Sequence, residues 1–251
     1  MSELEKRMLE LRGKTDFKLN KNQPVLAQVD GRSFSKLIKN RYEKPFDPVF
    51  IDLMNKTAEY CVPKIHGCKF AYVQSDEISF FIDSRKELSE PFFEFRICKL
   101  LSIIASTATG RFIDLRPKGE PIVQFDCKVW NVLTDNDVFA HFLWRQNDCI
   151  RNSKSQAAQA YIPQKELLNL NTDQQIELLL SKKGIDWNSY DPGMKYGRFI
   201  WKEYKEYTDP KYGTYKRSVY EAKPAWRLNE PDGRHRFFEL LGLQEHEELM
   251  A

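Results

Sequence analysis

Two apolar runs in this chain end on acids, and their placement limits the available folds more than any other feature. The first, PVLAQVD at residues 24–30, is followed directly by Gly31. The second is CKFAYVQSDEISFFID, with QSDE at residues 74–77 as its turn. Apolar runs of this length, rich in β-branched and aromatic residues and bounded by turn residues, predict strands covered on both faces, with the acids left at a sheet rim.

The segments between these runs predict helices. Asp47 followed by Pro48 is an acidic cap with Pro at the first helical position, starting a helix with Phe50, Leu53, Met54 and Thr57 on one face and Pro63 at its end. The stretch before it, residues 31–46, reads as a turn. Ser89, Glu90 and Pro91 predict the start of another helix, with an apolar stripe of Phe92, Phe95, Cys98, Leu101 and Ile104 or Ala105. PIVQFDCKVWNVL then reads as a fourth strand. The order β-α-β-β-α-β is the split βαβ, ferredoxin-like arrangement, so the expected class is α+β. Residues 1–133 form this unit together with an N-terminal helix carrying Leu4, Met8 and Leu11, expected to dock on it. Residues 134–251 are a helical and β-ribbon elaboration packed upon it.

In that topology, right-handed crossovers set the first and third strands side by side and antiparallel. The end of one then meets the start of the other, bringing Asp30 towards Asp76 and Glu77. Ser75 and Asp76 are also ordinary hairpin-tip residues. The convergence favours the functional reading, because like charges held together are costly unless a cation neutralises them. Two carboxylates without a His or Cys cluster suit a hard cation, and Mg²⁺ is the usual one where phosphates complete the shell. Two such ions would polarise an attacking hydroxyl and hold a leaving pyrophosphate. Gly31 would let the backbone approach closely, and Lys44 could reach a triphosphate.

The remaining inventory narrows the alternatives. A net charge of +3 permits a polyanionic partner without demanding one. Residues 1–14 hold no continuous apolar run, so neither a signal peptide nor a membrane span is expected and the protein reads as cytoplasmic. Five cysteines without Cys-x-x-Cys spacing predict free thiols. The four histidines are expected to be packed or solvated, and there is no Walker or dinucleotide fingerprint.

Thr134 and Asp137 have capping-box spacing and start a basic, aromatic-interrupted helix or helix pair carrying Trp144, Arg145, Arg151, Asn152 and Lys154, suited to phosphate contacts or to an ordinary surface. A small helix is expected to be capped by Thr172 and Gln175 and closed by Gly184. Residues 196–224 predict a two-stranded ribbon rich in Tyr, Lys and Arg, able to follow a nucleic-acid backbone or simply to pack. A terminal helix follows from residue 236.

The motifs VDGRSF, YEKPFD, AYVQSDEISF and WRQNDC, in this order and spacing, resemble the tRNA-histidine guanylyltransferase superfamily, whose enzymes extend RNA in the 3′–5′ direction on a polymerase-like palm. The resemblance covers residues 20–155 well and the ribbon more loosely. It implies that Asp30, the Gly31 carbonyl and Asp76 ligate two Mg²⁺ ions, with Glu77 a supporting acid. Arg32, Ser33, Phe34, Ser35, Lys44, Ser75 and Asn152 would line the nucleotide, and Arg96, Lys99, Arg151 and Lys154 would face RNA. The implied partners are tRNA and ATP, GTP and other nucleoside triphosphates, in a homotetramer.

Members that add guanylate to tRNA-histidine carry a His-Ile-Asn-Asn run where this chain has Ile150, Arg151, Asn152 and Ser153, and a histidine where it has Ser35. Both departures resemble the guanylyltransferase-like proteins of bacteria and archaea, which implies template-directed repair of 5′-truncated tRNA after ATP or GTP activation of the 5′-phosphate, with non-templated guanylate addition to tRNA-histidine or a non-catalytic RNA-binding module as the alternatives.

Overall fold

In the computed structural model the described residues are 1–86 and 90–244, with the side chains of residues 38–40 outside the description. Ser89, at the expected start of a helix, and residues 245–251, including His246 and the acidic end of the terminal helix, fall outside that range.

The chain runs α1 Glu3–Gly13, β1 Val25–Gly31, α2 Phe34–Arg41, α3 Pro48–Cys61, β2 Cys68–Gln74, β3 Glu77–Ile82, α4 Ile97–Leu115 and β4 Phe125–Asn131. The four strands pair antiparallel in the order β4-β1-β3-β2, the ferredoxin-like arrangement expected from the sequence. After α5 Asp135–Tyr161 come α6 Gln164–Leu167, α7 Thr172–Lys183 and α8 Pro192–Tyr196, then strands β5 Arg198–Asp209, β6 Gly213–Tyr220 and β7 Lys223–Pro224, and finally α9 Pro231–Leu241. β5 pairs with β2, so the ribbon prolongs the central sheet.

Both faces of the sheet are covered, which is why its strands read as unbroken apolar runs. On one face Val25, Ala27, Val29, Val73 and Phe80 pack with Leu53 and Met54 of α3 and Ile104 and Phe112 of α4. On the other, Leu26, Phe70, Tyr72 and Phe81 pack with Phe139 and Phe142 of α5, Phe199 of β5 and Phe237 of α9. Asp30 has the parity of Leu26 along β1, which puts it on the α5 face.

Helix α3 forms as the sequence predicts. The Asp47 carboxylate accepts from the amides of Val49 at 2.7 Å and Phe50 at 3.0 Å, and Phe50, Leu53, Met54 and Thr57 are buried. The Thr134–Asp137 capping box also forms, opening one long helix and not a pair.

Four expectations change. Residues 34–41 are helical, because Phe34 and Leu37 turn into the core. The second crossover helix starts at Ile97, since Phe93, Glu94 and Phe95 all take positive φ and break the helix phase. Its buried face is Leu100, Ile104, Ala108 and Phe112, while Cys98 is exposed. Helix α7 is capped one residue earlier than expected, by Asn171 with Gln174, because the Asn171 side chain reaches the amides of Asp173 and Gln174. Helix α1 is present but does not dock through its apolar stripe, leaving Leu4 69%, Met8 48% and Leu11 46% exposed.

Candidate active site

The register of the sheet assembles the acids. Asp30 of β1 lies opposite Glu77 of β3 on one side and opposite Asp126 of β4 on the other. Directly opposed residues of antiparallel strands share a face, so three acids line one rim. Asp76 stands beside them at the hairpin tip. Asp126 escaped the sequence reading; its signal was an acid near the start of the fourth strand, on the same parity as Lys128.

The backbone at this rim is incomplete in a telling way. The Gly31 amide donates to the Asp76 carbonyl at 3.1 Å, as in an antiparallel ladder. The Asp76 amide makes no return backbone bond to Gly31 among the described residues. The Gly31 carbonyl is thus left without its ladder partner, between Asp30 and Asp76.

The electrostatics record the crowding. Partial burial, then the charge of Asp126, raises the pKa of Asp30. Burial, then the charge of Asp30, pushes Asp76 up to about 6, although its own amide and the Ser75 hydroxyl oppose the shift. Like-charge repulsion of this kind is what a divalent cation would relieve. Among the described residues no group of three or more His, Cys, Asp or Glu is arranged to hold a metal. The donor set that does fit a hard cation is two carboxylates and the Gly31 carbonyl, with the remaining positions left for phosphate oxygens and water.

Glu77 is differently engaged. Both of its oxygens accept from Arg145 of α5, at 2.8 and 2.9 Å, and both residues are buried. Arg145 also reaches Asp148 at 2.8 Å, which in turn receives Asn152 at 3.2 Å and pairs with Arg151. The acid row is therefore tied to the helix that carries the WRQNDC motif.

Next to the row is a cavity of about 350 Å³ whose walls include Ser35, Lys44, Ser75, Asp76, Asn152 and Gln156. The loop forming one wall is shaped by Asp47, which accepts from the Glu43 amide at 2.7 Å, and by Tyr42, whose hydroxyl donates to Glu120 at 2.8 Å. Gly31 is required here for a reason the sequence hid. A Cβ at this position would come within 2.4 Å of the buried Phe34 ring.

The candidate residues do not all meet. Ser35, Lys44, Ser75, Asp76 and Asn152 share this cavity, whereas Arg32, Ser33 and Phe34 line a separate groove. Arg96 lies at the start of α4 with Asp16 at 3.4 Å and Glu94 at 3.8 Å. Lys99 is exposed one turn further along. Arg151 pairs with Asp148, and Lys154 with Asp173 at 2.5 Å.

The model of a family described as tRNAHis guanylyltransferase matches residues 6–133, half of the chain and all four strands of the ferredoxin-like sheet. This chain belongs to that family. Its members are tRNA guanylyltransferase-like nucleotidyltransferases. A tRNA(His) guanylyltransferase of Neurospora crassa is 32% identical over 221 residues, covering 80% of this chain and 73% of that protein. Among solved structures, a bacterial guanylyltransferase-like protein in complex with ATP superposes with a TM-score of 0.85 at 29% identity, covering 95% of this chain and 98% of the other. A bacterial guanylyltransferase-like protein in complex with GTP gives a TM-score of 0.80, also at 29% identity, covering 96% and 100%. Among the described residues no helix is long and apolar enough to cross a membrane.

Proposed function

We propose that this chain is a Mg²⁺-dependent, template-directed nucleotidyltransferase that adds nucleotides to the 5′ end of truncated tRNA. The observation that carries this reading is the double role of Asp76. It belongs to the acid rim with Asp30 and Gly31, and it also lines a cavity of nucleotide size. The ATP and GTP complexes of the bacterial relatives support a nucleoside triphosphate as occupant.

The reaction has two displacements. An oxygen of the tRNA 5′-monophosphate attacks the α-phosphorus of ATP or GTP, and pyrophosphate leaves. The 3′-hydroxyl of an incoming nucleoside triphosphate then attacks the activated 5′-phosphorus; the new phosphodiester forms, the nucleoside monophosphate departs and the hydroxyl proton is released. Asp30, Asp76 and the Gly31 carbonyl would hold Mg²⁺, which supplies neutralisation of charge at the phosphoryl group and the leaving group. Lys44 and Ser75 would fix the triphosphate against this rim. Asn152, held by Asp148, would orient it from the opposite wall. Arg145 holds Glu77 fixed beside Asp30, engaging both of its oxygens.

Template direction is supported by the residues that replace the His-Ile-Asn-Asn run. Ser153 accepts from Trp187 Nε1 at 3.3 Å and donates to the Ile150 carbonyl at 2.9 Å, so it braces the helix and presents no base-reading group. With no imidazole at this site or at Ser35, base selection falls to the opposing RNA strand.

The test is a tRNA lacking its first nucleotide, incubated with Mg²⁺, ATP and each nucleoside triphosphate singly. Growth with only the nucleotide complementary to the opposing base is the expected result. Addition of G whatever the opposing base overturns template direction in favour of guanylate addition, the activity for which the Neurospora crassa relative is named.

A further inference from the structure

The turn after β1 divides its residues between two cavities. Ser35 lines the cavity of Asp76, Lys44 and Asn152, whereas Arg32, Ser33 and Phe34 line a groove of about 680 Å³ that shares no wall residue with it. Lys36 and Arg41 of α2 complete the basic side of this groove, and residues 121–124, leading into β4, form the other side. The two sides are joined: the Arg32 amide donates to the Gln124 carbonyl at 2.9 Å, and its guanidinium donates to Gln124 Oε1 at 3.2 Å. The groove therefore has fixed walls and starts one residue from Gly31.

Its charge is one-sided. Among the described residues three cations line it and no carboxylate does. Arg32, Lys36 and Arg41 have no ion-pair partner among the described residues, whereas Arg96, Arg151 and Lys154, three of the four cations that the family resemblance assigns to RNA, are each paired within the chain. Three unneutralised cations held together repel one another, and a polyanion laid along them relieves that cost.

The geometry points to this groove as the track for the RNA phosphodiester backbone next to the reacting 5′ end, with Lys36 and Arg41 contacting phosphates. This rests on the proposed function for the identity of the polyanion. A backbone track is sequence-independent, as a repair enzyme acting on many acceptor stems requires. It also differs from the triphosphate site, because none of its walls belongs to the nucleotide cavity.

The test is the charge-reversed protein Lys36→Glu with Arg41→Glu, alongside Lys36→Gln with Arg41→Gln. Equilibrium binding of truncated tRNA is measured between about 50 and 200 mM salt, and binding of a fluorescent GTP analogue is measured in parallel. The expected result is RNA affinity reduced about ten-fold or more at low salt, with the slope of log affinity against log salt shallower by about two. GTP-analogue affinity stays unchanged, which also reports an intact fold. RNA affinity and slope equal to the unaltered protein overturn the track while leaving nucleotidyl transfer intact. Loss of GTP-analogue binding in the glutamine variant overturns it in favour of a triphosphate site. An unaltered protein that extends no RNA but whose binding falls on charge reversal overturns the proposed function alone.

Discussion

Arg145 on α5 grips Glu77 on β3 from across 68 residues of sequence, with Nε to Oε1 at 2.8 Å and a terminal nitrogen to Oε2 at 2.9 Å, both partners buried. Because Glu77 is the register partner of Asp30, this pair fixes the strand position from which the acid row is presented. Arg145→Met leaves a buried carboxylate without its partner and is expected to destabilise the protein by about 3–5 kcal/mol. Adding Glu77→Gln to that variant should recover much of the loss. Urea denaturation of the two single variants and the double variant measures the coupling, and additive effects would rule it out.

Gly31→Ala places a methyl group 2.4 Å from the Phe34 ring. That ring cannot easily yield, since it packs against Phe112 at 5.3 Å and Phe125 at 5.0 Å between centroids. The expected cost is about 1–3 kcal/mol of stability, together with weaker nucleotide binding as the turn to α2 shifts. Chemical denaturation and binding of a fluorescent nucleotide check both effects.

His141 gives a pH prediction. Burial, then the charge of Arg145, lowers its pKa from 6.5 to about 4, and its Nε2 is buried without a hydrogen-bond partner among the described residues. A depressed folded-state pKa means that the unfolded chain binds the proton first. The stabilising contribution is therefore complete above pH 6.5 and is lost as pH falls towards 4, by up to about 3 kcal/mol. Asp76, raised to about 6, acts in the opposite sense over part of this window, since the folded protein binds its proton more readily. The informative quantity is the difference between the unaltered protein and His141→Phe, measured without divalent cations. The unaltered protein should lose stability relative to the variant as pH falls, and parallel curves would refute the assignment.

The sheet was legible from sequence because its information is local. Asp30 meets Glu77 because four apolar runs and two crossovers allow only one low-strain order of strands. Asp126 was missed because a fourth strand with an acid inside it reads the same whether or not a neighbour across the sheet is also acidic. Arg145 read as part of a helix for phosphate contacts or an ordinary surface, since nothing in its own segment reveals a carboxylate 68 positions away. The phase of α4 slipped at Phe93, Glu94 and Phe95, where three side-chain-bearing residues adopt left-handed backbone without a glycine to signal it. The RNA-facing roles of Arg96, Arg151 and Lys154 came from the family resemblance; Arg151 instead pairs with Asp148 three residues away on its own helix, while Arg96 meets Asp16 and Lys154 meets Asp173 from segments outside the motifs.

On the proposed function, Asp30 and Asp76 would grip a common divalent cation with the Gly31 carbonyl. Direct titration with Mn²⁺, followed by electron paramagnetic resonance on the unaltered protein, Asp30→Asn and Asp76→Asn without nucleotide or RNA, tests it most directly. Both variants should fold, because each substitution relieves like-charge repulsion at the rim. The account predicts that each loses Mn²⁺ affinity by more than about 100-fold. Binding in both variants as tight as in the unaltered protein would contradict it.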